Sequence, residues 1–144
     1  MANNISYPNE AAFRLFIDLI SREDSKHKIK KYLPHINDEW YKIITDCMYY
    51  IQYTSQYERE QSCPELAAKI LYKIAKRHEL GDGNKRSAVI GVYLFALIND
   101  YLIGDPQKLK IQAKRAALTK GRKNEDMIKK RITASLGEIM IYIP

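Results

Sequence analysis

Apolar residues return along much of this chain at intervals of three and four, the period of an α-helix with one buried face. From Asn9, whose side chain can cap a helix start, Ala12, Phe13, Phe16, Ile17 and Ile20 form one stripe and predict a core helix to about Ile20. Ser21 to His35 is polar and basic, closes on Pro34, and reads as a loop with room for a helical turn. His27 and His35 have no ligand-spaced partners there and are expected at the surface. Asp38 can cap a second helix, Glu39 to about Tyr53, with Trp40, Ile43, Ile44, Cys47, Met48 and Ile51 on a broad apolar face. Tyr49, Tyr50, Tyr53 and Tyr57 crowd its end, where rings can clamp a partner or, as we expect, pack with their hydroxyls in water.

A polar break from Thr54 to Ser62 precedes Pro64, well placed for a first turn, and a helix through Leu66, Ile70, Leu71 and Ile74 to His78. Gly81-Asp82-Gly83 interrupts the pattern. Asn84 can cap the next helix, which runs through Val89, Val92, Leu94, Phe95 and Ile98 to about Asn99 and is apolar nearly all round, hence central. Pro106 starts a basic helix to about Thr119, Gly121 stops it, and Asn124 can cap another that ends before Gly137. The tail Ile139 to Ile143 is unbroken apolar: a short strand, a core plug or an exposed sticky segment. The expected architecture is one all-α domain over residues 1–144, with a loop between two central helices.

Composition narrows the classes. A chain of 144 residues, 46% apolar, fits a single core. The longest strongly apolar run, Ala88 to Ile98, is too short for a bilayer span of about 20 residues, and Met1 to Ser6 lacks a basic stretch leading into an apolar one. A soluble, cytoplasmic protein with no membrane contact is expected. Cys47 and Cys63 stand in no metal or redox spacing and read as small apolar side chains. The net charge of +7 is concentrated between Lys108 and Arg131, where ten basic residues face only Glu125 and Asp126. Such a segment is either a solvated face of two helices or a surface for a polyanion, whether nucleic acid, an acidic protein segment or a nucleotide.

The chemistry is densest at His78-Glu79-Leu80-Gly81-Asp82-Gly83-Asn84-Lys85-Arg86-Ser87. A proton acceptor between one helix and the start of the next stands beside a place where N–H groups can meet an anion, the pairing that phosphoryl or nucleotidyl transfer to a hydroxyl needs. Asp82 can hold magnesium, and Lys85 and Arg86 add positive charge for phosphates. Taken singly, each of these residues also suits a plain solvated connection.

The run His78-x-Leu80-x-Asp82-Gly83-Asn84-Lys85-Arg86-Ser87-Ala88 resembles the signature of the Fic/Doc superfamily, usually His-x-Phe-x-[Asp/Glu]-[Gly/Ala]-Asn-[Gly/Lys]-Arg between two helices. The likeness covers Pro64 to Asn99 and fades at both ends. It implies a Fic-like helical domain in which His78 is the general base, Asp82 the magnesium ligand and Arg86 a phosphate holder. Gly83 and Asn84 would line an anion hole, with Lys85 beside the nucleotide. It also places a target-pinning flap at the Thr54 to Ser62 break. Leu80 replaces the usual Phe, which buries the loop against the core.

Adenylyltransferase members usually carry Gly where this chain has Lys85, and a second Arg where it has Val89. The Asn-Lys-Arg-[Ser/Thr]-Ala form is similar to the Doc, or death-on-curing, branch of toxin–antitoxin modules. That resemblance implies ATP or another nucleoside triphosphate with Mg2+, and transfer of the γ-phosphate to a Thr or Ser hydroxyl of a target such as elongation factor Tu, arresting translation. The alternatives are a Fic-type adenylyltransferase and a non-catalytic basic binding module. No stretch matches the family's inhibitory helix: Ser6 to Glu10 is followed by Ala11 and interrupted by Pro8. A separate antitoxin is therefore expected, and Lys108 to Arg131 is a candidate surface for an acidic antitoxin or for the target.

Overall fold

The computed structural model describes residues 5–144 and, within them, every side chain but those of Arg122 and Lys123. Met1 to Asn4, most of the stretch searched for a leader, lie outside the described residues.

Helix α1 (Glu10–Ser21) begins where Asn9 Oδ1 accepts the Ala12 N–H at 2.8 Å, and it buries Phe13, Ile17 and Ile20. The basic stretch that follows contains a 3-10 turn, Lys28–Tyr32, anchored by buried Ile29 and Tyr32. Helix α2 (Asp38–Ser55) is capped by Asn37, not Asp38: Asn37 Oδ1 accepts the Trp40 N–H at 2.9 Å. Asp38 sits in the first turn instead, where a carboxylate faces the positive end of the helix dipole.

Helix α3 (Cys63–Ala75) opens on a reciprocal cap, with Ser62 Oγ accepting the Glu65 N–H and Glu65 accepting the Ser62 N–H, and with Pro64 in its first turn. Helix α4 (Asn84–Ile98) is the centre of the molecule, buried at every position from Ser87 to Ala96. Where α3 meets it, Gly91 allows close approach, since a β-carbon there would stand 2.6 Å from Ile74 Cδ1. Helix α5 (Pro106–Leu118) is capped by Asp105 and packs on α3 and α4. Helix α6 (Arg122–Ile139) packs on α3 and α5, begins before Asn124 and continues through Gly137, unlike the expected helix. Asn124 lies inside it, its Nδ2 donating to the Lys120 carbonyl at 3.0 Å. Burial of Leu136 just before the expected break and of Met140 just after it outweighs the roughly 1 kcal/mol that a helical glycine costs.

One antiparallel ribbon departs from an all-helical fold. Strand β1 (Tyr101–Ile103) pairs with β2 (Met140–Tyr142) in the register Tyr101↔Tyr142, Leu102↔Ile141 and Ile103↔Met140. The apolar tail is thus a strand that buries Met140 and leaves Ile141, Tyr142 and Ile143 exposed. Its partner after α4 is three residues long, too short for alternation to register in the sequence.

A continuous core runs from Phe13 to Met140. Cys47 and Cys63 are free thiols inside it, and burial pushes Cys63 up to about 11. The four tyrosines at the end of α2 do not pack into the core: Tyr49, Tyr50, Tyr53 and Tyr57 are all more than half exposed. The stripe through Trp40, Ile44, Met48 and Ile51 takes the inner face of α2, and the tyrosines fall off it. Among the described residues no helix is long and apolar enough to cross a membrane.

Candidate active site

The loop between the two central helices is made by chain geometry first. α3 ends at Ala75, earlier than the expected end at His78, and the Arg77 N–H closes back on the Ile74 carbonyl at 3.0 Å. His78–Gly83 then forms a 3-10 turn broken at Gly81, whose φ of 55° and ψ of −135° suit only glycine. That kink aims the chain into α4. Leu80 is half-buried against the core, holding the turn down as the sequence led us to expect.

Asn84 ties the two helices together. Its Nδ2 donates to the Ala75 carbonyl at 2.7 Å, its Oδ1 accepts the Lys85 N–H at 2.8 Å, and its own N–H bonds the Gly81 carbonyl. Gly83, not Asn84, occupies the cap position of α4. The Asn84 side chain therefore faces inward, with both its polar ends engaged across the loop. A second tie reaches from α2: Trp40 Nε1 donates to Ser87 Oγ at 2.8 Å, and Ser87 Oγ donates to the Gly83 carbonyl at 2.6 Å.

These ties form a hollow of about 410 Å3 at the start of α4. Asp82, Gly83 and Arg86 line one side; Pro34, His35 and Trp40 are on the wall contributed by α2 and the segment before it. Three of the expected site residues therefore meet at one surface, while His78, Asn84 and Lys85 do not line it. His78 is exposed on the same turn, immediately before lining residue Glu79, and makes no side-chain hydrogen bond among the described residues. Sequence reading missed His35 and Trp40 as lining residues of the hollow, since nothing local links them to a loop about forty residues away.

Thr54 to Ser62, where the resemblance places a flap, leads into the first turn of α3, and Thr54 and Glu58 line a cleft with Arg77, the residue before His78. Pro34 and His35, in the segment before α2, line the hollow with Gly83.

Electrostatics at the loop are mixed. Glu39, Glu79 and Asp82 line the hollow with Arg86 as its one guanidinium, so a bare polyanion meets more carboxylate than cation there. Arg77 Nη2 donates to Glu79 Oε2 at 2.7 Å and this bond, with a backbone N–H and nearby charge, holds the Glu79 carboxyl down at about 2. Arg77 also reaches the Cys47 sulfur at 3.6 Å, fixing the strand of chain just before His78. No group of three or more His, Cys, Asp or Glu side chains among the described residues is arranged to hold a metal ion. Asp82 as a single carboxylate fits a magnesium that arrives with phosphate oxygens, the usual mode for that ion, and does not fit a metal held by protein alone.

No family model, no curated protein and no solved structure matches this chain.

Proposed function

We propose that this chain is a phosphotransferase of the Doc type, moving the γ-phosphate of a nucleoside triphosphate to a Ser or Thr hydroxyl of a target protein. The observation that carries this is the convergence of Asp82, Gly83 and Arg86 on one hollow at the start of α4, with His78 exposed on the turn that feeds it. A new bond forms between the acceptor oxygen and the γ-phosphorus, the bond from that phosphorus to the β–γ bridging oxygen breaks, and the nucleoside diphosphate leaves. The hydroxyl proton passes to a ring nitrogen of His78 and from there to water. Arg86 holds phosphate charge, Gly83 leaves room for close approach, and Lys85 adds positive charge at the edge. Magnesium bound with the nucleotide by Asp82 would offset the acidity of the hollow.

Phosphoryl transfer is favoured over adenylyl transfer by Val89, which is fully buried: the position where the adenylyltransferases keep a second arginine faces the core here. The target class, with elongation factor Tu as the first candidate and arrested translation as the outcome, rests on the resemblance of the loop alone. So does a separate antitoxin seated on the basic helices.

Incubation with target extract, magnesium and ATP labelled at the α or the γ position tests the chemistry. Label is expected on protein from γ only, and none with His78→Ala. Label from α only would make the chain an adenylyltransferase. If His78→Ala leaves growth arrest intact while charge reversal at Lys114, Arg115 and Lys130 abolishes it, the chain acts as a basic binding module.

A further inference from the structure

A second cavity, of about 730 Å3, lies between the end of α2, the outer face of α3 and the α5–α6 junction, with Arg77, the residue before His78, in its wall. Arg77 belongs to its wall and Glu79 to the wall of the first hollow, so His78 is the residue between the two. Six cations, Lys69, Lys73, Lys76, Arg77, Lys120 and Lys129, line this cleft against Glu58 and Glu125. The carboxylates are already engaged: Lys69 Nζ lies 2.5 Å from Glu58 Oε2 and Lys129 Nζ 2.9 Å from Glu125 Oε1. Lys73, Lys76 and Lys120 have no carboxylate partner among the described residues; Lys73 lies over the Tyr50 ring and Lys76 Nζ donates to the Thr119 carbonyl at 2.5 Å.

We propose that this cleft seats an acidic peptide segment of the acceptor protein, presenting a neighbouring hydroxyl to His78. The proposal rests on His78 being the base of a transfer to protein. Lys69, Lys73 and Lys76 stand at intervals of four and three on α3, a row about 10 Å long. Extended chain turns alternate side chains to one side about 6.6 Å apart, so acids at every second position meet the row at two points.

The rings of the cleft argue against single-stranded nucleic acid, which is bound chiefly by bases stacked on open aromatic faces. Lys73 Nζ already sits 3.8 Å over the Tyr50 ring, and Tyr72 is buried with Lys129 Nζ at 4.9 Å from its centre. What the cleft offers is a surplus of cations over carboxylates, a charge that suits an acidic chain.

The test is fluorescence anisotropy with the full chain, no nucleotide, and a labelled eight-residue peptide with glutamates alternating with alanines before a threonine. The same peptide with glutamines and an eight-nucleotide oligo-dT serve as comparisons. The glutamate peptide is expected to bind at least tenfold more tightly than the other two, and to weaken at least tenfold with Lys73→Glu/Lys120→Glu. Lys26→Glu/Lys28→Glu, an equal charge change at two lysines that do not line the cleft, is expected to move binding less than twofold, and circular dichroism checks that both variants fold. Equal binding of the glutamate and glutamine peptides, or equal loss in both double variants, would overturn the cleft as an acidic-peptide site. Tighter oligo-dT binding lost with Lys73→Glu/Lys120→Glu would make it a nucleic-acid site. γ-Phosphate transfer without peptide binding removes this inference and leaves the proposed function; peptide binding without any transfer removes its acceptor role.

Discussion

Asn84 Nδ2 donates to the carbonyl of Ala75 across the candidate loop at 2.7 Å, joining the end of α3 to the start of α4. The residue is buried, and its other amide end caps the Lys85 N–H. It holds the loop shut, whereas His78 stands outside any such network. Asn84→Ala is therefore expected to lower stability by about 1–3 kcal/mol, the cost of a buried carbonyl left without its donor. His78→Ala is expected to shift stability by less than about 0.5 kcal/mol, as exposed substitutions do, while reducing transfer by about 10²–10⁴-fold. Urea denaturation of both variants, set beside label transfer, separates the two roles; a His78→Ala protein that unfolds early would refute them.

Trp40 and Ser87 make the second tie. Ser87→Ala leaves a buried indole N–H without an acceptor and frees the Gly83 carbonyl from its hydroxyl donor. A loss of about 1–3 kcal/mol is expected. Trp40→Phe combined with Ser87→Ala is expected to cost less than the sum of the single changes, which a double-mutant cycle in denaturant reads directly. Strict additivity would mean that the two side chains do not interact.

Close packing of α3 on α4 passes through Gly91 and Ile74. Gly91→Ala brings a β-carbon against Ile74 Cδ1 and is expected to destabilise by about 1–3 kcal/mol despite the better helix propensity of alanine. Ile74→Val removes the clashing atom, so in its background the same glycine substitution is expected to cost less. Thermal unfolding of the four proteins checks this, and a stabilising Gly91→Ala in the original background would contradict it.

Cys63 gives a pH signature. Burial raises its thiol to about 11, above its value in an unfolded chain, so folding holds a proton that the unfolded chain releases. The stabilising contribution is complete below the unfolded thiol's value near 9 and declines as pH rises toward 11. Cys63→Ala is expected to flatten the fall of stability over that window relative to the parent protein. Identical slopes in pH-dependent urea denaturation would show that the thiol is not held neutral.

The helices were legible from local signals because capping and facing are local events. Asn9, Pro64 and Pro106 mark starts locally, and stripes such as Phe13, Ile17 and Ile20 mark the inner faces. The loop residues were legible too, since an Asp, two glycines, an Asn and an Arg in that order between apolar helices restrict what the chain can do there. The same short window misled where an equally good local partner stood nearby: Asn37 outcompeted Asp38 as a cap, and Asn84 turned away from the cap position to bridge the helices.

What only the tertiary structure decided is everything made of residues far apart. Trp40 meets Ser87 across 47 positions, the segment at Pro34 and His35 walls the hollow, and the tail finds its strand partner at Tyr101 to Ile103. The exposed tyrosines and the lysine cleft beside Arg77 exist because α2, α3 and the α5–α6 junction leave a gap there. The sequence by itself determined which groups the loop carries and which faces seek the core, because backbone hydrogen bonds and side-chain periodicity act over a few residues. Cavities form where whole packed elements fail to close, and no short window contains all their walls.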